Sequence, residues 1–207
     1  MLVKICGITS GEMARKTAEA GADMIGFVFA PSKRRITPKE AVTIARTLPS
    51  QVKTVGVFVN ESAEKMQQIS DLVGLDYIQL HGDESSATIK KLHARIIKAF
   101  PADRLYPITK QSRHYDFCLI DSPAGKNRGG NGKIFDWEKA NNLPKENIIL
   151  AGGLTPENVQ QAIDIVQPAG VDVSSGVETD GVKDPEKIKQ FIQNAKGGNR
   201  IEKLYNA

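Results

Sequence analysis

The sequence lacks the features that would mark an oxidised, metal-bound or membrane setting. It holds only two cysteines, Cys6 and Cys118, each inside or at the end of an apolar run. That usage fits a reducing compartment and excludes a disulfide framework. No stretch approaches the roughly 20 apolar residues that span a bilayer. Met1-Leu2-Val3-Lys4 leads straight into a strand-like run that is too short for a secretory signal. Cytoplasmic residence, with no membrane partner, is the expectation. No His, Cys, Asp or Glu residues cluster at metal spacing, and no dinucleotide fingerprint follows the first apolar run. No metal and no cofactor are therefore expected. Basic clusters are missing too: the net charge is +4, but the densest group, Lys33-Arg34-Arg35, is short and not interleaved with aromatics. This argues against nucleic acid. A mild positive field suits a small anionic substrate instead.

What is present has a rhythm. The chain has 207 residues, enough for one compact domain with a sizeable core. Apolar runs at residues 2–5, 24–29, 52–59, 77–80, 96–100, 117–120, 148–151 and 170–173 alternate with helix-period segments. Most runs are apolar at nearly every position, the mark of strands covered on both faces in a parallel sheet. Thr37-Pro38-Lys39-Glu40 carries helix-start chemistry, and Thr155-Pro156 and Asp184-Pro185 are expected to open two more helices. Gly21 stands where the first helix should end. Eight strands with no change of rhythm predict an α/β fold: a single (β/α)8 TIM barrel of parallel strands. Residues 101–116, interrupted by Pro101 and Pro107, read as a degraded helix after strand five, and residues 197–207 as a tail without strong period.

In such barrels reactive groups gather at the C-terminal ends of the strands. Cys6 and Gly7 follow the first run, Arg34 lies after the second, and Gln79 and His81 end the fourth. Asp121 follows the sixth, Gly152-Gly153 the seventh and Ser174-Ser175-Gly176 the eighth. The last two loops read as a phosphate grip, because glycine lets backbone N–H groups approach an anion and serine adds donors. Cys118, inside Phe-Cys-Leu-Ile, reads as an inert small hydrophobe. Cys6 has two readings: the same, or a base whose thiol is lowered by nearby cations or backbone donors. Asp121 either caps the next loop or works in the site, since an aspartate at the lip of an apolar strand is expensive otherwise. Arg34 is a solvated cation or the partner of a second anion.

Several stretches, taken in order, resemble the phosphoribosylanthranilate isomerase family. They are Lys4-Ile5-Cys6-Gly7-Ile8-Thr9, Gly21-Ala22-Asp23-Met24-Ile25-Gly26-Phe27-Val28-Phe29 and Val55-Gly56-Val57-Phe58-Val59-Asn60. Gln79-Leu80-His81-Gly82-Asp83-Glu84, Gly129-Gly130-Asn131-Gly132-Lys133 and Phe135-Asp136-Trp137 follow. Ala151-Gly152-Gly153-Leu154 with Pro156-Glu157-Asn158-Val159, and Val171-Asp172-Val173-Ser174-Ser175-Gly176-Val177-Glu178, complete the set. The resemblance implies an Amadori rearrangement of N-(5-phosphoribosyl)anthranilate, with Cys6 as general base and Asp121 as general acid. It implies that Arg34 meets the anthranilate carboxylate and that Gly152, Gly153, Ser174, Ser175 and Gly176 hold the phosphate. Gln79, His81 and Asp172 would line the substrate pocket. Asn131 departs from the family's usual threonine or serine, and the Lys33-Arg34-Arg35 run leaves the carboxylate assignment open by one residue. A histidine-pathway sugar-phosphate isomerase would be expected to carry aspartate, not Cys6, at the end of strand one. A non-catalytic phosphate-binding barrel would have no use for Cys6 and Asp121 together. The sequence leaves monomer against homodimer open.

Overall fold

The computed structural model describes residues 1–105, 108, 115–123, 135–141 and 143–197. Eight strands run β1 Leu2–Cys6, β2 Met24–Val28, β3 Lys53–Phe58, β4 Tyr77–Leu80, β5 Arg95–Pro101, β6 Phe117–Asp121, β7 Ile148–Leu150 and β8 Gly170–Val173. They close into a barrel in sequence order, every neighbour parallel, with β8 returning to β1. Around them stand α1 Gly11–Glu19, α2 Pro38–Ala45, α3 Ala63–Val73, the single turn α4 Ser86–Ile89, α5 Val159–Val166 and α6 Pro185–Ala195. A small hairpin, β9 Glu178–Thr179 with β10 Val182–Lys183, is antiparallel and follows β8. Among the described residues no helix is long and apolar enough to cross a membrane.

The strands match the apolar runs to within a residue or so at each end. The departures matter: β1 and β6 run one residue beyond their apolar runs, because Cys6 still pairs with Gly26 and Asp121 with Pro101. Both polar ends are therefore ladder residues held in fixed geometry. The Thr37 capping box forms in full, the hydroxyl accepting from Glu40 N–H at 3.2 Å and the Glu40 carboxylate from Thr37 N–H at 2.7 Å. Asp184 likewise caps α6. Gly21, at φ +96°, sits one residue past the Ala20 cap of α1, where glycine tolerates the left-handed backbone. The expectation at Thr155-Pro156 is corrected: α5 starts only at Val159. The Asn158 amide intervenes, accepting from Thr155 N–H at 2.8 Å and donating to Gly153 O at 2.9 Å. Those residues close a loop first and begin the helix afterwards. The degraded helix expected after β5, the glycine-rich stretch at 129–133 and the tail from 198 fall largely or wholly outside the described residues.

Alternation along each strand sorts the core into two clusters. Val3, Ile5, Ile25, Phe27, Ile78, Leu80, Ile96, Ile120 and Leu150 face outward and pack with the helices. Met24, Val55, Tyr77, Ile97, Leu119 and Ile149 face inward and fill the barrel. The N-terminal end is plugged by Tyr77 against Phe117, ring centres 6.0 Å apart, with the Arg95 guanidinium 4.5 Å over Tyr77. Three aspartates staple the same end. Asp23, Asp76 and Asp116, each just before an even strand, accept the N–H of Val3, Thr54 and Ile96 on the preceding odd strand at 2.8, 2.9 and 2.8 Å. With that end filled, the strand-end residues of interest stand at the opposite rim.

Candidate active site

Cys6 and Asp121 terminate β1 and β6, so both project into the barrel at the same C-terminal rim. In the closed ring only β7 and β8 separate their strands along the shorter arc. Sequence order had put them 115 residues apart; the barrel closure brings them to one mouth.

Around Cys6 the structure builds a charged nest. Lys4, inward-facing on the same strand, donates to Asp172 Oδ1 at 2.8 Å, and both are buried. Lys183, from the β9–β10 hairpin, donates to Ser174 O at 2.8 Å and to Glu178 Oε1 at 2.6 Å. Arg34 reaches the same carboxylate with a two-pronged grip, Nε to Oε1 at 2.6 Å and Nη2 to Oε2 at 2.8 Å. Its stem lies over Gly7, where a Cβ would stand 2.5 Å from Arg34 Cδ; Gly7 also holds φ at +81°. A side chain there would displace Arg34 and strain the turn at once. Burial pushes the Cys6 thiol above its ordinary value, and Asp172 adds to this, while Lys4 and Lys183 pull it down. The cations that could lower the thiol are in place, yet desolvation outweighs them.

Around Asp121 the arrangement is different. Its Oδ1 accepts from Ser122 N–H at 2.8 Å, and its Oδ2 lies 3.3 Å from His81 Nε2. The other ring nitrogen, Nδ1, is 3.0 Å from Gln79 Nε2. Gln79 is buried inside the barrel, and its Oε1 has no hydrogen-bond partner. The Gln79 amide beside Nδ1 orients the imidazole ring so that Nε2 faces Asp121. The loop bearing His81 is tied from outside the barrel: buried Lys98 donates to Gly82 O at 2.6 Å and to Glu84 Oε2 at 2.7 Å.

The two glycine-rich loops complete the rim. Gly152 and Gly153 both take positive φ, +80° and +67°, and a Cβ on Gly152 would fall 3.1 Å from Asp121 Oδ1 and collide with Ser122. A Cβ on Gly176 would strike the Leu154 carbonyl, so the β7 and β8 loops touch only because that residue is glycine. Ser175–Val177 turns as a short 3-10 helix, whose first N–H groups have no partner within it. The Ser174 hydroxyl donates to Cys6 O at 3.1 Å, which welds the β8 loop to the end of β1.

The strand-end residues Cys6, Asp121, Gly152-Gly153 and Ser174-Ser175-Gly176 lie at one rim with Arg34 and His81, and Gln79 and Asp172 stand just inside the barrel, while Cys118 packs outward in the barrel wall and Asn131 lies outside the described residues. Reading the sequence alone missed Lys4, Lys183, Glu178, Lys98 and Glu84. For Lys4 a signal existed: a lysine two residues before Cys6 in an otherwise apolar strand shares its face. Glu178 and Lys183 gave none: they meet across the two-residue strands β9 and β10, which no apolar run marks, and Arg34 joins Glu178 from across the fold.

A closed parallel barrel with acid–base groups and glycine-rich loops on its C-terminal rim defines a (β/α)8-barrel enzyme. The model of the N-(5'-phosphoribosyl)anthranilate (PRA) isomerase family matches residues 3–194. An N-(5'-phosphoribosyl)anthranilate isomerase of Bacillus cereus strain B4264 is 52% identical over 200 residues, covering 95% of this chain and 98% of the relative. The phosphoribosyl anthranilate isomerase of Thermotoga maritima superposes with a TM-score of 0.86 at 43% identity, covering 95% of this chain and 100% of that one. A phosphoribosyl anthranilate isomerase structure solved with reduced 1-(o-carboxyphenylamino)-1-deoxyribulose 5-phosphate gives a TM-score of 0.82 at 42% identity over the same shares of the two chains. The chain belongs to the N-(5'-phosphoribosyl)anthranilate isomerase family.

Proposed function

We propose that the chain converts N-(5-phosphoribosyl)anthranilate to 1-(2-carboxyphenylamino)-1-deoxyribulose 5-phosphate, a step of tryptophan biosynthesis, by acid–base chemistry between Asp121 and Cys6. The observation that carries this reading is the placement of a strand-end carboxyl and a strand-end thiol on one rim, beside two glycine-rich loops. Asp121, as the acid, gives a proton to the furanose ring oxygen. The C1–O bond breaks, and the sugar opens to a Schiff base. Cys6, as thiolate, then removes the proton from C2, and the resulting enolamine tautomerises to the ketone.

Each group has support suited to its part. His81 and Ser122 fix the two oxygens of Asp121, so the carboxyl holds one orientation towards the pocket. Gln79 fixes the His81 ring in turn. A thiol raised by burial is less often ionised at neutral pH, but its thiolate is the stronger base once formed. The loops at Gly152-Gly153 and Ser174-Ser175-Gly176 receive the phosphate on backbone N–H groups, with the Ser174 hydroxyl already engaged by Cys6 O. Arg34 meets the anthranilate carboxylate. Its guanidinium spends two of five N–H groups on Glu178 and keeps the rest for the substrate.

The test is loss of phosphoribosylanthranilate fluorescence under steady-state conditions. Cys6→Ser and Asp121→Asn are each expected to lower kcat about 100-fold or more, with KM changed only a few-fold. Turnover unaltered in either variant removes that residue from the mechanism.

A further inference from the structure

We propose that Lys4 is a positioning residue for Cys6: its buried ammonium, braced by Asp172, supplies the charge against which the Cys6 thiol loses its proton. This deepens the acid–base reading and rests on it.

Lys4 and Cys6 are two residues apart on β1, so both side chains enter the barrel. Opposite them β2 presents Gly26, the register partner of Cys6. A Cβ at Gly26 would stand 2.9 Å from Cys6 Sγ and 3.3 Å from Lys4 Nζ. Thiol and ammonium therefore flank a single point, and the missing side chain is what leaves room for both. On β8, Asp172 is the register partner of Lys4 and holds its Nζ at 2.8 Å.

The charges around the thiol do not balance without it. Facing Cys6 are Lys4 from β1, Asp172 from β8, Lys183 from the β9–β10 hairpin and Arg34 from the loop after β2, with Glu178 bridging the last two; β2 itself presents the uncharged Gly26. Three cations against two carboxylates leave one positive charge, which a thiolate would neutralise. An ion pair in a barrel interior is a poor way to gain stability, since apolar residues of similar volume are often as stable. Next to a thiol it has a use: the ammonium favours the thiolate and the carboxylate opposes it. Burial pulls the Lys4 ammonium down, but Asp172 and Cys6 together hold it above the ordinary lysine range.

The experiment follows the ultraviolet absorbance of the Cys6 thiolate against pH without substrate, taking Cys6→Ser as the blank. Cys118, whose thiol burial pushes up to about 12, is present in the blank as well, so its absorbance subtracts out. In Lys4→Met the Cys6 titration is expected to move upward by about one pKa unit or more, a roughly tenfold loss of thiolate at fixed pH below the midpoint. In Asp172→Asn it moves downward, and in Lys4→Arg it stays near the native position. Both single variants break the same buried pair, so a merely structural role would move both titrations the same way or neither; either result overturns the proposal. Where Lys4→Met does not fold, Lys4→Met/Asp172→Leu replaces it with an apolar pair. Its titration is expected to move upward, because the ammonium acts on the thiol more strongly than the carboxylate does, and no shift overturns the proposal. The titration needs no substrate. Its failure leaves the isomerase reading standing, whereas native protein that does not consume phosphoribosylanthranilate sinks that reading alone.

Discussion

Replacing Arg34 by alanine separates the two jobs its guanidinium holds. In the substrate-free protein it donates twice to Glu178, at 2.6 and 2.8 Å, and its stem covers Gly7. Charge-assisted hydrogen bonds are worth about 1.5–3 kcal/mol each when buried. The Arg34 side chain is 23% exposed and Glu178 8%, so solvent screens the pair in part. Lys183 remains 2.6 Å from the carboxylate, so Glu178 is not left bare. The net loss is therefore near one such bond, about 2 kcal/mol, plus roughly 1 kcal/mol for the methylenes lifted off Gly7. For a domain of this size about 3 kcal/mol lowers Tm by roughly 6–12 °C. The second job appears only with substrate. A two-pronged guanidinium–carboxylate contact worth about 2–3 kcal/mol predicts a fall in kcat/KM of roughly 30- to 150-fold, carried by KM. The assay compares phosphoribosylanthranilate with its analogue lacking the ring carboxylate, in native protein and in Arg34→Ala. The native preference for the carboxylate should collapse in the variant, and Arg34→Lys should restore little of it, because an ammonium lacks the fork. If Arg34→Ala keeps the native preference, the carboxylate belongs to another residue; if its Tm is unmoved, the Glu178 argument fails.

Two more outcomes follow from the same structure. Burial alone would push the Glu178 carboxyl up, but hydrogen bonds from Arg34 and Lys183 more than offset it and hold it below the ordinary range. Its folded value is thus depressed, so its contribution to stability is complete above the ordinary glutamate value of about 4.3 and is lost as pH falls through the lowered one. Glu178→Gln should therefore lower stability at neutral pH and shrink the difference from native protein on acidification, read from urea midpoints across pH; a difference that grows as pH falls contradicts this. Asp76→Ala, at the plugged end, removes the acceptor of the buried Thr54 N–H and hydroxyl. A loss of about 1–3 kcal/mol is expected in denaturant unfolding with kcat and KM unchanged, since the site lies at the other rim. A drop in kcat there would deny the separation of the two ends.

The sequence alone determined a good deal of this molecule. Continuous apolar runs cannot lie in a sheet with one wet face, and eight of them with helix-period segments between leave little but a closed parallel barrel. Once that is granted, Cys6, Asp121, Gly152-Gly153 and Ser174-Ser175-Gly176 fall on one rim, because parallel strands all end on the same side. Local chemistry was legible wherever partners are neighbours in the chain, as with Thr37 and Glu40. It failed at Thr155-Pro156, where the Asn158 amide closes a loop before the helix begins. What only the tertiary structure decided is the pairing of charges: Lys4 with Asp172, Arg34 and Lys183 with Glu178, Lys98 with Glu84, His81 with Asp121. The first of these joins residues 168 apart in sequence. Periodicity tells which face a side chain takes, but Coulomb attraction and desolvation depend on distance and burial. Those exist only once the barrel has closed.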